Sequence, residues 1–302
     1  MADGPQLYAP VVRDDRGGVE VILGEDHPGF HDPDYRDRRN ALAALALDWK
    51  PGEKIPEPDY TDVEHDVWRV IARELEPLHN RHACRAYLEA KEALRLPTDH
   101  VPQLAEVTRL LAPLTGFRYL PVAGLAPLRD FYGAFSGSAF YSTQYLRHPR
   151  LPLYTPEPDV VHEVVGHANQ LACLDFAAIY RLVGGAVART QTEAALRFLS
   201  RVFWFSMEFG VVWEDGEPKA YGAGILSSFG ETAAYRNAEL RPLDFAQMGS
   251  FTYDITRYQP VLFAAASMAH LVDALSGFFS TFDDDVHARL IGRQRGDEIT
   301  AA

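Results

Sequence analysis

Basic residues are scarce in this chain of 302 residues: 29 lysines and arginines stand against 42 aspartates and glutamates, a net charge of −13. No basic run offsets the excess locally, which argues against nucleic acid and anionic membrane as partners. Cysteine is scarcer still. Cys84 and Cys173 are the only two; they match no metal or redox spacing, so a disulfide framework is not expected and a reducing cytoplasm fits best. Long apolar runs are missing too. The stretch from Val261 to Met268 and onward is broken by Ser267, His270 and Asp273, well short of the ~20 apolar residues of a membrane span. The opening Met-Ala-Asp-Gly-Pro-Gln lacks the basic and then apolar order of a signal peptide. Apolar residues, at 47%, suffice for a substantial core.

Periodicity predicts one mostly α (α+β) domain with a few short strands. Residues 1–28 read as an extended arm able to dock as a strand through Val19-Glu-Val-Ile-Leu23, residues 29–282 as the catalytic region, and 283–302 as a polar tail. Helices are expected over Pro33 to Trp49, after the capping box Thr61-Asp-Val-Glu64, over Ala83 to Leu96, and over Pro102 to Leu111, stopping at Pro113 and the Thr115-Gly116 turn. Further helices are expected over Phe176 to Val183, Thr192 to Gly210, and Pro260 to Phe279. Short extended pieces fall at Phe117 to Ala126 and Gly137 to Arg147.

The chemistry concentrates in Thr155-Pro-Glu-Pro-Asp-Val-Val-His-Glu-Val-Val-Gly-His167. Pro156 and Pro158 keep the preceding segment out of a helix, and Asp159 is a good N-cap for one starting near Val160. On an ideal helix, residues five apart diverge by about 140°. His162 and His167 can converge on one ion only if the turn at Gly166 loosens. A pair of histidines alone is more often satisfied by hydrogen bonds or solvent. Glu208, acidic among Leu199, Phe203, Phe205 and Phe209, is the expected third ligand, because burying it without a cation is costly; the bland alternative is an exposed glutamate on a polar stripe. Two histidines and a carboxylate leave positions open on iron(II). A zinc hydrolase is a remote alternative, since its H-E-x-x-H helix needs the second histidine at i+4, where this chain has Gly166. A non-catalytic metal-binding protein is another.

In blocks running from Gly29-Phe-His-Asp-Pro-Asp-Tyr35 through Thr143-Gln-Tyr-Leu-Arg-His148, Tyr154 to His167, Phe205 to Gly210 and Lys219 to Glu231 to Tyr258-Gln-Pro260, the chain resembles the pterin-dependent aromatic amino acid hydroxylases. The resemblance implies Fe(II) held by His162, His167 and Glu208, a tetrahydropterin as reductant, O2 as co-substrate, and a free aromatic amino acid as substrate. It places Arg147, backed by Asp159, on the substrate carboxylate. Thr155, Pro156, Trp204, Ser227 and Ile255 fall around the amino acid, Ser227 also supporting His162, with Glu231 just behind. Gly124, Leu125, Ala126, Phe131 and the Glu163 carboxylate fall at the pterin. The resemblance implies neither a regulatory domain nor a tetramerisation helix here, so a monomer or dimer is expected.

Departures from the family pattern lie close to these positions. His167 is followed by Ala-Asn-Gln170 where a proline is usual. Tyr141 stands for a histidine facing the pterin, Phe203 for a tyrosine near the iron, and Leu128 for a pterin-contacting serine. Trp204 matches phenylalanine and tyrosine hydroxylases, whereas Ile255 matches tryptophan hydroxylases. L-Phenylalanine is the expected substrate, hydroxylated to tyrosine or at the meta position; L-tryptophan is the alternative.

Overall fold

The computed structural model describes residues 9–13, 17–254 and 257–300, with side chains as far as residue 292. The arm supplies the antiparallel hairpin of β1 (Val11–Arg13) and β2 (Val19–Val21). Helix α1 (Pro33–Asp48) starts at an Asp32 cap with proline at its first position, where a missing N–H costs nothing. In α2 (Asp62–His82) the capping box forms as the sequence predicts: Glu64 N–H donates to Thr61 Oγ1 at 3.2 Å, and the Glu64 carboxylate accepts from Thr61 N–H at 2.8 Å. Two further helices follow, α3 (Arg85–Leu94) and α4 (Leu104–Thr115). The latter runs through Pro113 to Gly116, where φ is +79°. Pro113 lies in its last turn, and the helix ends at the expected Thr115-Gly116 turn, where Gly116 supplies the left-handed cap.

Strands β3 (Arg118–Pro121) and β4 (Ala139–Ser142) pair in parallel around α5 (Leu128–Ala134). After a loop comes a π-helical segment, His162–Ala168, continued by α6 (Asn169–Leu171), α7 (Leu174–Arg189) and α8 (Glu193–Phe203). A second π segment, Trp204–Glu208, follows α8 directly. Strands β5 (Val211–Glu214) and β6 (Glu217–Ala220) form a hairpin on Asp215-Gly216, both at positive φ, a tight turn absent from the sequence reading. Then come α9 (Ala223–Leu226), α10 (Phe229–Ala234), β7 (Glu239–Pro242), α11 (Phe245–Ser250), β8 (Val261–Ala265), α12 (Met268–Thr281) and α13 (Asp284–Thr300).

One expectation near the C-terminal end needs correction. The apolar run from Pro260 is not one helix: Val261–Ala265 is a wholly buried strand in the sheet β6-β5-β8-β7, and α12 begins only after Ser267, whose hydroxyl caps it. A short unbroken apolar run fits a central strand and a buried helix equally well, so periodicity alone does not separate them. The polar tail is helical from Asp284.

The main core is an aromatic-rich cluster about α7, whose Phe176, Ile179, Tyr180 and Val183 are fully buried, and a second, small cluster of Ala9, Val21, Leu23 and Ala43 lies under the arm. Both cysteines are free. Among the described residues no single helix is long and apolar enough to cross a membrane; the one pair that passes by length and composition, His162–Leu171 with Leu174–Arg189, is bent by 105°.

Candidate metal centre and adjoining cleft

The π register explains how a five-residue spacing works. A π-helix closes i→i+5 bonds, so residues five apart sit over one another instead of diverging. His162 Nε2 and His167 Nε2 are accordingly 3.0 Å apart. The whole segment from His162 to Ala168 is widened, so Gly166 is not the point of loosening. Its role is close approach, since a Cβ there would lie 2.7 Å from the Ala223 carbonyl oxygen of α9. Buried tyrosines hold the wide turn: Tyr119 donates to the Glu163 carbonyl at 2.7 Å and Tyr87 to that of Val165 at 2.6 Å.

Glu208 reaches the same point from the second π segment, with Oε1 3.1 Å from His167 Nε2 and Oε2 3.6 Å from His162 Nε2. Its turn is gripped by glycines. A Cβ on Gly222 would lie 2.3 Å from the Glu208 carbonyl oxygen, and Gly224 packs on Phe209. Burial pushes the Glu208 carboxyl up, but His167 outweighs it and holds the group below its usual range. Glu163, whose carboxylate also comes within 4.8 Å of both imidazoles, behaves oppositely. Burial first, then the charge of Glu208, raises it well above the carboxylate range. Of the two, Glu208 is the one suited to bind a cation. Burial lowers His162 to about 4, so its ring is neutral at neutral pH, as a ligand must be.

Each imidazole is held from behind. His162 Nδ1 is 2.9 Å from Ser227 Oγ, and His167 Nδ1 is 2.7 Å from Tyr180 Oη. The Tyr180 hydroxyl in turn donates to Gln170 Oε1. Neither Tyr180 nor Gln170 was singled out from sequence as a site residue. Gln170 lies in the stretch that departs from the family pattern, whereas Tyr180, one helix further on, carries no local signal.

Asp159 caps the π segment, accepting from His162 N–H at 3.2 Å, and binds Arg147 three ways: Nε at 2.9 Å, Nη2 at 2.8 Å and the backbone N–H at 2.8 Å. Burial raises Asp159, yet Arg147 overrides it and the net shift is downward. Both side chains are almost wholly buried, and Arg147 Nη1 has no protein partner among the described residues. In the same loop Pro156 is buried, and Thr155 Oγ1 donates to the Glu157 carbonyl at 2.9 Å. The Glu157 carboxylate is clamped by Arg39 at 2.6 Å. Trp204 stacks on Tyr253 with centroids 4.3 Å apart, and its buried indole N–H has no partner among the described residues. Ile255 lies outside the described residues.

Strand β4 joins this centre to a cleft. Its side chains alternate, so Phe140 packs on the His167 ring at 4.7 Å while Tyr141 lines a cavity of about 860 Å³ with Gly124, Leu125 and Ala126. Ala9 to Val11 of the arm form its other wall. Phe131 and Phe203 are not among the cleft's lining residues. Phe131 meets Tyr132, Phe135 and Phe140 edge-on, and Phe203 is fully buried against Tyr132 and Tyr180. Leu128 packs on the core cluster.

Glu231, in α10 after Ser227, is buried and its carboxyl is pushed up to about 7. An unfolded glutamate titrates near 4.3. The folded state therefore binds the extra proton, and this contribution to stability is whole below about pH 4 and lost as pH rises through about 7. Glu231→Gln should flatten that limb and stabilise the protein at pH 8 by about 1–3 kcal/mol, read from urea unfolding at pH 5 and pH 8. A wild-type curve with no decline between those values would remove the basis for it.

Comparisons with known proteins give the family. Residues 18–290 match the family model described as biopterin-dependent aromatic amino acid hydroxylase. Phenylalanine 3-hydroxylase of Streptomyces coeruleorubidus is 47% identical over 266 residues, covering 88% of this chain and 95% of that protein. Phenylalanine-4-hydroxylase of Rattus norvegicus is 37% identical over 86% of this chain, which spans only 58% of that longer relative. The solved Chromobacterium violaceum phenylalanine hydroxylase with bound iron(III) and oxidised cofactor 7,8-dihydrobiopterin superposes with a TM-score of 0.71 at 27% identity, over 78% of this chain and 89% of that one.

Proposed function

The chain belongs to the biopterin-dependent aromatic amino acid hydroxylases, and from that premise we propose that it hydroxylates the ring of free L-phenylalanine, at the meta position, using iron(II), a tetrahydropterin and dioxygen. One observation carries the metal reading: His162, His167 and Glu208 converge within 3.0–3.6 Å, with the far nitrogen of each imidazole already held. The donor set, two neutral nitrogens and one carboxylate, is the facial kind that leaves positions open on iron(II). Bound there, iron and the reduced pterin together activate dioxygen for attack on the ring.

The chain's own residues bind, orient and exclude water. Arg147, held by Asp159, presents Nη1 to the substrate carboxylate. Trp204 and Pro156 wall the aromatic ring, and Ser227 holds His162. Gly124, Leu125, Ala126 and Tyr141 line the cleft that would take the pterin, with the Glu163 carboxyl beside it. Phe131 acts there through the aromatic cluster it joins. The meta preference rests on 47% identity to the Streptomyces 3-hydroxylase across nearly its whole length, against 37% to the rat 4-hydroxylase.

The test is an iron-loaded assay with tetrahydropterin and oxygen, offering L-phenylalanine and L-tryptophan and resolving the products by chromatography. The expected product is meta-tyrosine, absent from the His162→Ala protein. A predominance of para-tyrosine would overturn the position, hydroxylated tryptophan would overturn the substrate, and no product from either amino acid would overturn both.

A further inference from the structure

We propose that Tyr180 and Gln170 form a positioning relay that presets the tautomer of His167 and, through the same amide, seats Glu208. The inference rests on the metal reading above. It follows from counting protons along a buried chain of hydrogen bonds. Gln170 is fully buried, and its Nε2 donates to two backbone carbonyls, of Met207 at 3.0 Å and of Tyr221 at 2.9 Å. An amide has two N–H donors, both now used, and its oxygen must therefore face the other way. That oxygen takes the hydroxyl proton of Tyr180. A phenol has only one proton to give. Toward His167 Nδ1, 2.7 Å away, Tyr180 can then only accept, which puts a proton on Nδ1 and leaves Nε2 as the nitrogen aimed at Glu208 and His162.

The same amide reaches the second ligand segment. Met207 precedes Glu208, and Tyr221 precedes Gly222, the glycine on which the Glu208 backbone rests. Gln170 thus ties the histidine segment to the glutamate segment at one buried point. His162 has no such device. Its Nδ1 faces the Ser227 hydroxyl, which can turn to donate or to accept and so fixes no tautomer. The relay is specific to the stretch His167-Ala-Asn-Gln170 and to Tyr180 one helix later, residues for which the fold alone gives no reason to be polar in a core of Phe117, Phe135, Phe140 and Phe203.

The first test needs no variant: a histidine-selective nitrogen–proton correlation spectrum of the metal-free protein at neutral pH, with the His167 ring assigned through its loss in His167→Ala. Expected is a proton on Nδ1 of His167, whether or not Nε2 also holds one toward Glu208; an Nδ1 without a proton overturns the relay. The second test measures Fe(II) or Co(II) affinity by competition with a chromophoric chelator in wild type, Tyr180→Phe, Gln170→Leu and the double variant, each shown to be folded by circular dichroism. Both single variants should bind about 10–100-fold more weakly. The double variant should be well short of the product of the two losses, because they act as one unit. Gln170→Leu touches neither metal nor imidazole, so its loss distinguishes a relay from simple contact. Wild-type affinity in Tyr180→Phe, with binding lost in His162→Ala, would overturn the relay and leave the metal reading standing; a wild type that binds no metal would overturn both.

Discussion

Glu208→Gln is expected to lose metal-dependent hydroxylation altogether while costing the metal-free protein only the modest stability that the His167 contact gives the carboxylate. The carboxylate is buried against two imidazoles and is held below its usual range, whereas neighbouring Glu163 is pushed the other way. An amide of the same size keeps the packing but cannot neutralise a cation. Its effect on metal affinity should therefore exceed the ~10–100-fold that changes behind a ligand cost. Stability separates a ligand from a structural residue. A metal that binds only the folded state adds about 2.7 kcal/mol at one hundred times its Kd. The wild type should gain that increment on adding Fe(II) under anaerobic conditions, and Glu208→Gln should gain none. Equal gains in both proteins would show that Glu208 is not a ligand, and a large loss of stability in the metal-free variant would show that its role is packing.

The readable part of this centre is dense and local. His162, Glu163 and His167 fall within six residues, and Glu208, an acid amid Phe203, Phe205 and Phe209, invites a cation as its partner. Capping signals at Thr61 and Asp159 are equally explicit, because a cap is a contact between residues three apart. What the sequence conceals is register. The two π segments have no composition of their own, and the five-residue spacing of the histidines, awkward on an α-helix, becomes natural only once the i→i+5 turn is seen. Val261–Ala265 was misread because five buried apolar residues look alike in a strand and a helix. Phe131 and Phe203 show the other limit. Phe203 is fully buried and Phe131 partly buried against the core, and only packing reveals where such side chains sit.

Asp159→Asn should unfold at markedly lower denaturant concentration than the wild type, by about 3–5 kcal/mol, the usual cost of removing one partner from a buried pair. Asparagine caps a helix nearly as well as aspartate, so the loss would belong to Arg147, left charged among buried neighbours. The pH dependence gives an independent check. An unfolded aspartate titrates near 3.9, while Arg147 holds the folded Asp159 carboxyl below its ordinary range. The unfolded state is therefore the one that takes up protons first; the contribution is whole above about pH 4 and lost as pH falls through the folded value. Wild type and variant should converge in acid and diverge at neutral pH. Pairing the change with Arg147→Met removes both charges and should recover part of the stability. It should recover none of the substrate affinity, because the amino acid carboxylate would then meet no guanidinium. A double variant that regained both a wild-type unfolding midpoint and a wild-type KM would mean that the pair only holds the loop. A KM that stays high in a restabilised protein would place Arg147 on the substrate itself.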